Sequence, residues 1–299
     1  MNKIRLEGSP LVIFASAFWA TGGIFITRII EGSNLTPINL AFWRDLSTYT
    51  ILLISISILR PALLRVMKRD LPWLIGMGII SIGLFHVLWN TSVITNGMAI
   101  ATVIQCNAPI FVTIIARLIW KESLTPLKIA AIFLSTLGTI LIANVEGFGG
   151  MKITLTGLLI GLASALAYGS VSLLGKKLSG NYSPWTILTY AFGIGTLTLL
   201  PFQLISPSIS LLPVAASFAK LIFITTLSGY LLYFIGLQKL PASVASILST
   251  SEVPFAALMA YLVMKEKMTG WQIIGAILVV GGVVLVSLRN NSDEKPERA

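Results

Sequence analysis

Apolar residues in this chain run in blocks of about 20, separated by short clusters of charge, proline, glycine and asparagine. A helix rising about 1.5 Å per residue needs about 20 apolar residues to cross a hydrocarbon layer about 30 Å thick, so each block has the length of a membrane span. The blocks fall near 10–30, 37–59, 71–94, 98–119 and 127–144, then near 155–175, 184–203, 217–238, 241–264 and 271–288. They predict an all-α integral membrane protein of ten transmembrane helices. The first block follows Lys3 and Arg5 as a signal peptide would. It is too long for a signal core and no A-x-A cleavage site follows it, so it is read as the first span.

The second set of blocks repeats the first. Sliding the chain by 144 residues lays "AIATVIQCNAPIFVTIIARLIWKESLT" (99–125) over "SVASILSTSEVPFAALMAYLVMKEKMT" (243–269), pairing Ala101 with Ala245, Lys121 with Lys265, Glu122 with Glu266 and Gly138 with Gly282. The same offset pairs His86, Trp89 and Asn90 with Tyr230, Tyr233 and Phe234. Five spans is an odd number, so the second copy enters the membrane from the opposite side. The expectation is two inverted five-helix repeats, at 1–146 and 147–289, with a polar tail at 290–299. Such repeats are a mark of transporters, because two equivalent arrangements of one pattern can give outward-open and inward-open states. A duplication that merely builds a stable bundle is the alternative.

Composition narrows the class. Hydrophobic residues make up 56% of the chain, charged residues 11%, and mean hydropathy is +0.90. No loop between the blocks is long enough for a soluble domain. The net charge of +10 would suggest nucleic acid in a soluble protein, but here the basic residues cluster in short loops and follow the positive-inside rule. With the N-terminus in the cytoplasm, fifteen of the 21 Lys and Arg fall on the inner side, among them Arg60, Arg65, Lys68, Arg69, Lys121, Lys128, Lys176, Lys177 and Lys239. Both termini are therefore expected in the cytoplasm and the protein in the cell membrane, with lipid and a small solute as partners and no nucleic acid. Cys106 is the sole cysteine and His86 the sole histidine, so no disulfide framework, metal site or cofactor is expected.

The halves resemble the EamA domain of the drug/metabolite transporter superfamily. The resemblance rests on "NAPIFVTIIARLIWKESLTPLKIAAIFLSTLGTILIA" and "EVPFAALMAYLVMKEKMTGWQIIGAILVVGGVVLV", each a proline-containing span, a helix-end glutamate and a glycine-bearing final span. It covers both halves and implies a ten-span carrier of small metabolites, often an exporter of amino acids, with YddG-type exporters of aromatic amino acids one group within it. A deep Lys/Arg cluster in the late spans, the expected mark of organic-phosphate carriers, is missing.

Several polar residues lie inside the predicted spans. Glu252 sits about 15 Å into the ninth, near the midplane. An ionisable group there is a functional candidate by default, for substrate binding and for carrying a proton as coupling ion. A protonated glutamate bonded to a neighbouring helix is the structural alternative. Pro254 and Pro109 lack an N–H, so each is expected to free a carbonyl, that of Thr250 and that of Gln105, and weaken its helix. Asn107 lies beside Pro109. His86, Trp89 and Asn90 share one helical face, as do Tyr230 and Tyr233 in the eighth span. These rows suit an amphipathic, neutral or zwitterionic solute, although interfacial packing would also explain them. His86 is a second proton-coupling candidate. Arg44 is placed to bind a carboxylate bidentately or to snorkel outward, with Asp45 as its neutraliser. Trp19 and Tyr168 occupy matched positions as cavity lining or core.

The function expected is a secondary transporter exporting amino acids or related compounds by alternating access around a midplane cavity. A facilitative uniporter, or an exchanger or importer of another solute, is the alternative. A channel would show a continuous polar stripe. An intramembrane enzyme would need a nucleophile with a base, or paired metal ligands, and one Cys and one His in separate spans form no such motif.

Overall fold

A computed structural model describes residues 8–96, 98–143, 154–204, 211–264 and 269–289, and these residues are helical with short connections. In chain order the helices are α1 (Gly8–Glu31), α2 (Pro37–Leu59) and α3 (Lys68–Ser92, running on to Asn96). The fourth is split into α4a (Met98–Gln105) and α4b (Ala108–Trp120). Then come α5 (Pro126–Ile142), α6 (Leu155–Ser179), α7 (Pro184–Leu204) and α8 (Leu212–Lys239). The ninth is again split, into α9a (Ala242–Ser249) and α9b (Glu252–Met264), and α10 (Gly270–Ser287) follows. Among the described residues nine helices are long and apolar enough to cross a membrane, and α5, with 17 residues, is shorter. The polar tail at 290–299 and the pair Lys265 and Glu266 lie outside the described residues.

Helix starts follow the sequence closely. A hydroxyl residue before an apolar block caps it: Thr36 accepts from Asn39 N–H at 3.2 Å, Thr125 from Lys128 N–H at 3.3 Å, Thr154 from Gly157 N–H at 3.0 Å and Ser183 from Thr186 N–H at 3.2 Å. At three of these positions proline comes next, where its fixed φ suits the first turn and its missing N–H leaves nothing unsatisfied.

The interruptions also repeat. Met77–Leu84 in α3 and Leu221–Ser228 in α8 are π-helical and lie 144 residues apart. Each wide turn shifts the register of the helix that follows, which sets the direction of His86 and Trp89 in one half and of Tyr230 and Tyr233 in the other. The breaks at Cys106–Asn107 and Thr250–Ser251 are also 144 residues apart. They coincide in the repeat although the two prolines do not.

Helix pairing has the pattern of a two-fold relation. α1 packs on α8 and its counterpart α6 on α3, while α2 pairs with α7 and α5 with α10, each with its own repeat mate. Phe192, Phe234, Leu188 and Ile187 fill the centre with no exposed surface, whereas Phe14, Ile58, Leu118, Phe133, Leu197 and Ile277 project outward as an apolar surface suited to lipid.

The α5–α10 contact is the tightest kind of helix crossing. A Cβ on Gly138 would lie 2.5 Å from the Gly275 carbonyl oxygen, and one on Gly275 would lie 2.5 Å from the Gly138 carbonyl oxygen. Only small residues permit that backbone approach. Gly275→Val is expected to lower stability by about 1–3 kcal/mol through overpacking, read by denaturant titration in mixed micelles. Gly281→Ala, where nothing lies within 4 Å of the added carbon, is the neutral control.

Candidate functional site

The two helix breaks determine what can lie between the halves. In α9 the carbonyls at the end of α9a are taken up locally: the hydroxyls of Ser249, Thr250 and Ser251 donate to Ser246, Ile247 and Leu248 at 2.7–2.8 Å. The expectation that Pro254 frees the Thr250 carbonyl is corrected, because the Val253 N–H donates to it at 3.1 Å. Pro254 is the third residue of α9b and Pro109 the second of α4b. Both sit in a first turn, where a missing N–H costs nothing, so they mark where the second half-helix begins. In α4 the Asn107 side-chain amide donates to the Ile104 carbonyl at 2.7 Å, which commits it to closing α4a.

Glu252 opens α9b and is half-buried. A carboxylate in a first helical turn is favoured by the unpaired N–H groups there. It lies within electrostatic reach of Cys106, Tyr168 and Tyr230.

The charged residues of α2 and α3 form one cluster. Asp45 has no exposed surface and bridges two partners, with Arg44 Nε at 3.3 Å from Oδ1 and His86 Nδ1 at 3.1 Å from Oδ2. The Arg44 guanidinium also touches His86 Nε2. A neutral imidazole suits both contacts, donating from Nδ1 to Asp45 and accepting at Nε2 from Arg44. The sequence pairs Asp45 with Arg44 as its neutraliser, and the structure adds His86 as a second partner. The arginine stem is long enough to fold around the helix, which makes Asp45 the hub. The available signal was an Arg-Asp pair deep in a span whose neighbouring span carries the chain's sole histidine.

Aromatic rings surround these groups in two related sets. Trp19 stacks near Tyr230 and Tyr233, with ring centroids at 5.2 and 5.1 Å, and Tyr230 meets the edge of Phe192 at 5.3 Å. In the other half Tyr168 lies 5.3 Å from Phe85, which in turn stacks on His86 and Trp89. Phe85 and Gly229 are repeat mates, and a Cβ on Gly229 would come within 2.6 Å of the Trp19 indole. The larger indole on α1 is therefore matched by a glycine where the other half carries a phenyl ring. Tyr233 is 2% exposed and its hydroxyl bonds Ser172 at 2.6 Å, so it serves packing. Trp19, Arg44, Trp89, Asn90, Tyr168, Tyr230 and Glu252 keep partial exposure. The Trp19 Nε1–H is a buried donor with no partner.

Glu122, just after α4b, is half-buried against the start of α9a, where it accepts from the Ala242 N–H at 2.9 Å. Among the described residues no group of three or more His, Cys, Asp or Glu could hold a metal ion.

Comparison with known proteins is consistent across the chain. The model of the EamA-like transporter family matches twice, at residues 6–144 and 155–288. An uncharacterized transporter of Archaeoglobus fulgidus is 27% identical over 90% of this chain and 94% of its own length. The uncharacterized transporter YdfC of Bacillus subtilis is 25% identical, covering 93% and 90%. The uncharacterized inner membrane transporter YicL of Salmonella typhimurium is 25% identical, covering 94% and 95%. One crystal structure superposes with a TM-score of 0.80 over 94% of this chain and 96% of that one, at 16% identity, a likeness of fold. Two copies of one family pattern, on a ten-helix membrane bundle with repeating helix breaks, place the chain in the EamA-like transporter family, as a multi-pass membrane transporter.

Proposed function

We propose that this transporter exports an amino acid or a closely related zwitterion across the cell membrane by alternating access, with both termini in the cytoplasm. The observation that carries the reading is a guanidinium held ready on Asp45, with Arg44 Nε 3.3 Å from Oδ1, together with a half-buried carboxyl, Glu252, at the α9 break and the partly exposed Tyr230 within electrostatic reach of both. A guanidinium and a carboxyl group that both act on one partly exposed ring fit the two charged ends of an amino acid. Trp19, Trp89 and Tyr168 supply apolar faces for its side chain, and the free indole N–H of Trp19 supplies a donor. Arg44 is held by Asp45 and His86 before substrate arrives, which lowers the ordering cost of binding. A substrate carboxylate would share the guanidinium with Asp45.

Glu252 is the group proposed to couple transport to protons. It has a carboxyl near the midplane, at a helix break, in range of the substrate position, so that ammonium binding and protonation would compete for it.

Purified protein screened against the twenty amino acids by thermal shift is expected to gain stability with a subset, since ligands of the folded state raise it. No shift with any amino acid would sink the substrate class. In proteoliposomes Glu252→Gln should abolish pH-driven flux while leaving substrate exchange. Unchanged pH dependence would remove Glu252 from coupling. Asp45→Ala should cost about 3 kcal/mol or more by leaving Arg44 without its partner, and Arg44→Met with Asp45→Leu should cost less than the two single changes combined. A denaturant-based double-mutant cycle reads this, and simple additivity would show that the pair does not act as a unit.

A further inference from the structure

We infer that Glu122 is the latch that holds one face of the transporter shut in this conformation, an inference that rests on the alternating-access reading above. The face concerned is the basic one, where α2, α4b, α6 and α8 end near Arg60, Lys121, Lys176 and Lys239.

The local chain is shaped to present this carboxylate. Lys121 adopts a left-handed φ of 55°, and the Glu122 N–H returns to the Ala116 carbonyl at 3.4 Å, closing α4b with a left-handed cap. The turn sends the Glu122 side chain sideways, across to the second half of the molecule. There Oε1 accepts from the Ala242 N–H at 2.9 Å, Oε2 accepts from the Ser243 N–H at 3.3 Å, and the Ser243 hydroxyl also donates to Oε2. A glutamate from one repeat thus caps a helix of the other. Lys128 of α5 steadies the arrangement, with Nζ 3.8 Å from Oε2 and 2.9 Å from the Ser123 carbonyl. Beneath the cap, Val112, Ala116, Leu173 and Ala242 close into a small buried cluster joining α4b, α6 and α9a.

The opposite face is described in part only, since Glu266, the repeat mate of Glu122, lies outside the described residues. The two-fold relation that matches α4b with α9b and α9a with α4a would allow α4a to pack on α9b as α9a packs on α4b. Among the described residues α9a meets α4b extensively and α4a makes no comparable contact with α9b. Among the described residues the half-helices pack unequally, with α9a closed on α4b at the basic face. Opening it requires the start of α9a to leave α4b, and the bonds that must break first are those to Glu122. Because α9a leads directly into the break that positions Glu252, the latch is mechanically connected to the proposed substrate site.

The test uses the full-length protein with Cys106→Ala as the reference background and a cysteine reporter at Ser246, which is 2% exposed on α9a. Labelling by a membrane-impermeant maleimide is followed in vesicles of both orientations. With Glu122 intact, labelling should be slow from the basic face. Glu122→Ala should speed it by about tenfold or more, since several charge-assisted hydrogen bonds are lost, Ser243→Ala should give a smaller increase, and Glu122→Asp should restore much of the protection. A second reporter, Leu40→Cys at the other end of the bundle, should be unaffected. Unchanged labelling at the Ser246 reporter in Glu122→Ala overturns the latch, as does a rise at both reporters, which would mean general unfolding. Fast labelling of the Ser246→Cys reporter from both faces in the Glu122→Ala protein would reveal a pore open to both sides. That result would sink the alternating-access reading while leaving Glu122 as the closing group.

Discussion

A membrane core offers no water to an unpaired peptide group, and this constraint shapes every irregular feature of the bundle. Two helices stop and restart near the middle of the membrane, which strands carbonyls at the end of one half and N–H groups at the start of the next. The chain resolves this with short polar side chains. In α9 the Ser249, Thr250 and Ser251 hydroxyls turn back on the last carbonyls of α9a. In α4 the amide of Asn107 does the same work. Ser16 of α1 and Ser135 of α5 add further bonds to the α9 break, to the Ser249 carbonyl and the Thr250 hydroxyl. The helix breaks are therefore satisfied structures that can persist in lipid.

The same constraint explains where the charges lie. Asp45, Arg44 and His86 share their polar atoms, so a strongly polar cluster survives among apolar helices. Glu122 offsets the loss of water by accepting from the free N–H groups of α9a. Glu252 lies instead in the first turn of its own helix, within electrostatic reach of Cys106, Tyr168 and Tyr230. Glu122 thus closes a helix end and Asp45 orders a cation, while Glu252 is the acid proposed for solute and proton.

Much of this was legible along the chain. Ten apolar blocks, hydroxyl-Pro starts at Thr36, Thr125 and Ser183, and a 144-residue repeat all derive from short-range chemistry that each segment carries alone. The matched rows at His86 and Tyr230 were also visible, since the repeat offset is a property of sequence. The α9 break was legible in place only: proline pointed to Thr250 and the helix does break at Thr250–Ser251, but the Thr250 carbonyl is taken up by the Val253 N–H and not left free. The pairing of Asp45 with Arg44 was legible, but the bonds of Asp45 to His86 and of Glu122 to α9a were not, because each depends on a partner far away in sequence.

Sequence by itself determined the solvent of this protein, its number of spans and its internal duplication, because hydrophobic length and repeat spacing are one-dimensional quantities. Tertiary structure decided which polar residues meet. It joined Asp45 to His86 across 41 positions and Glu122 to Ala242 across 120, and it committed Tyr233 to Ser172 while leaving Tyr230 partly open. Among the described residues it also packed the half-helices unequally, α9a on α4b more closely than α4a on α9b. Two nearly equal halves can pack in two ways, and the choice between them depends on contacts among half-helices that no local pattern specifies.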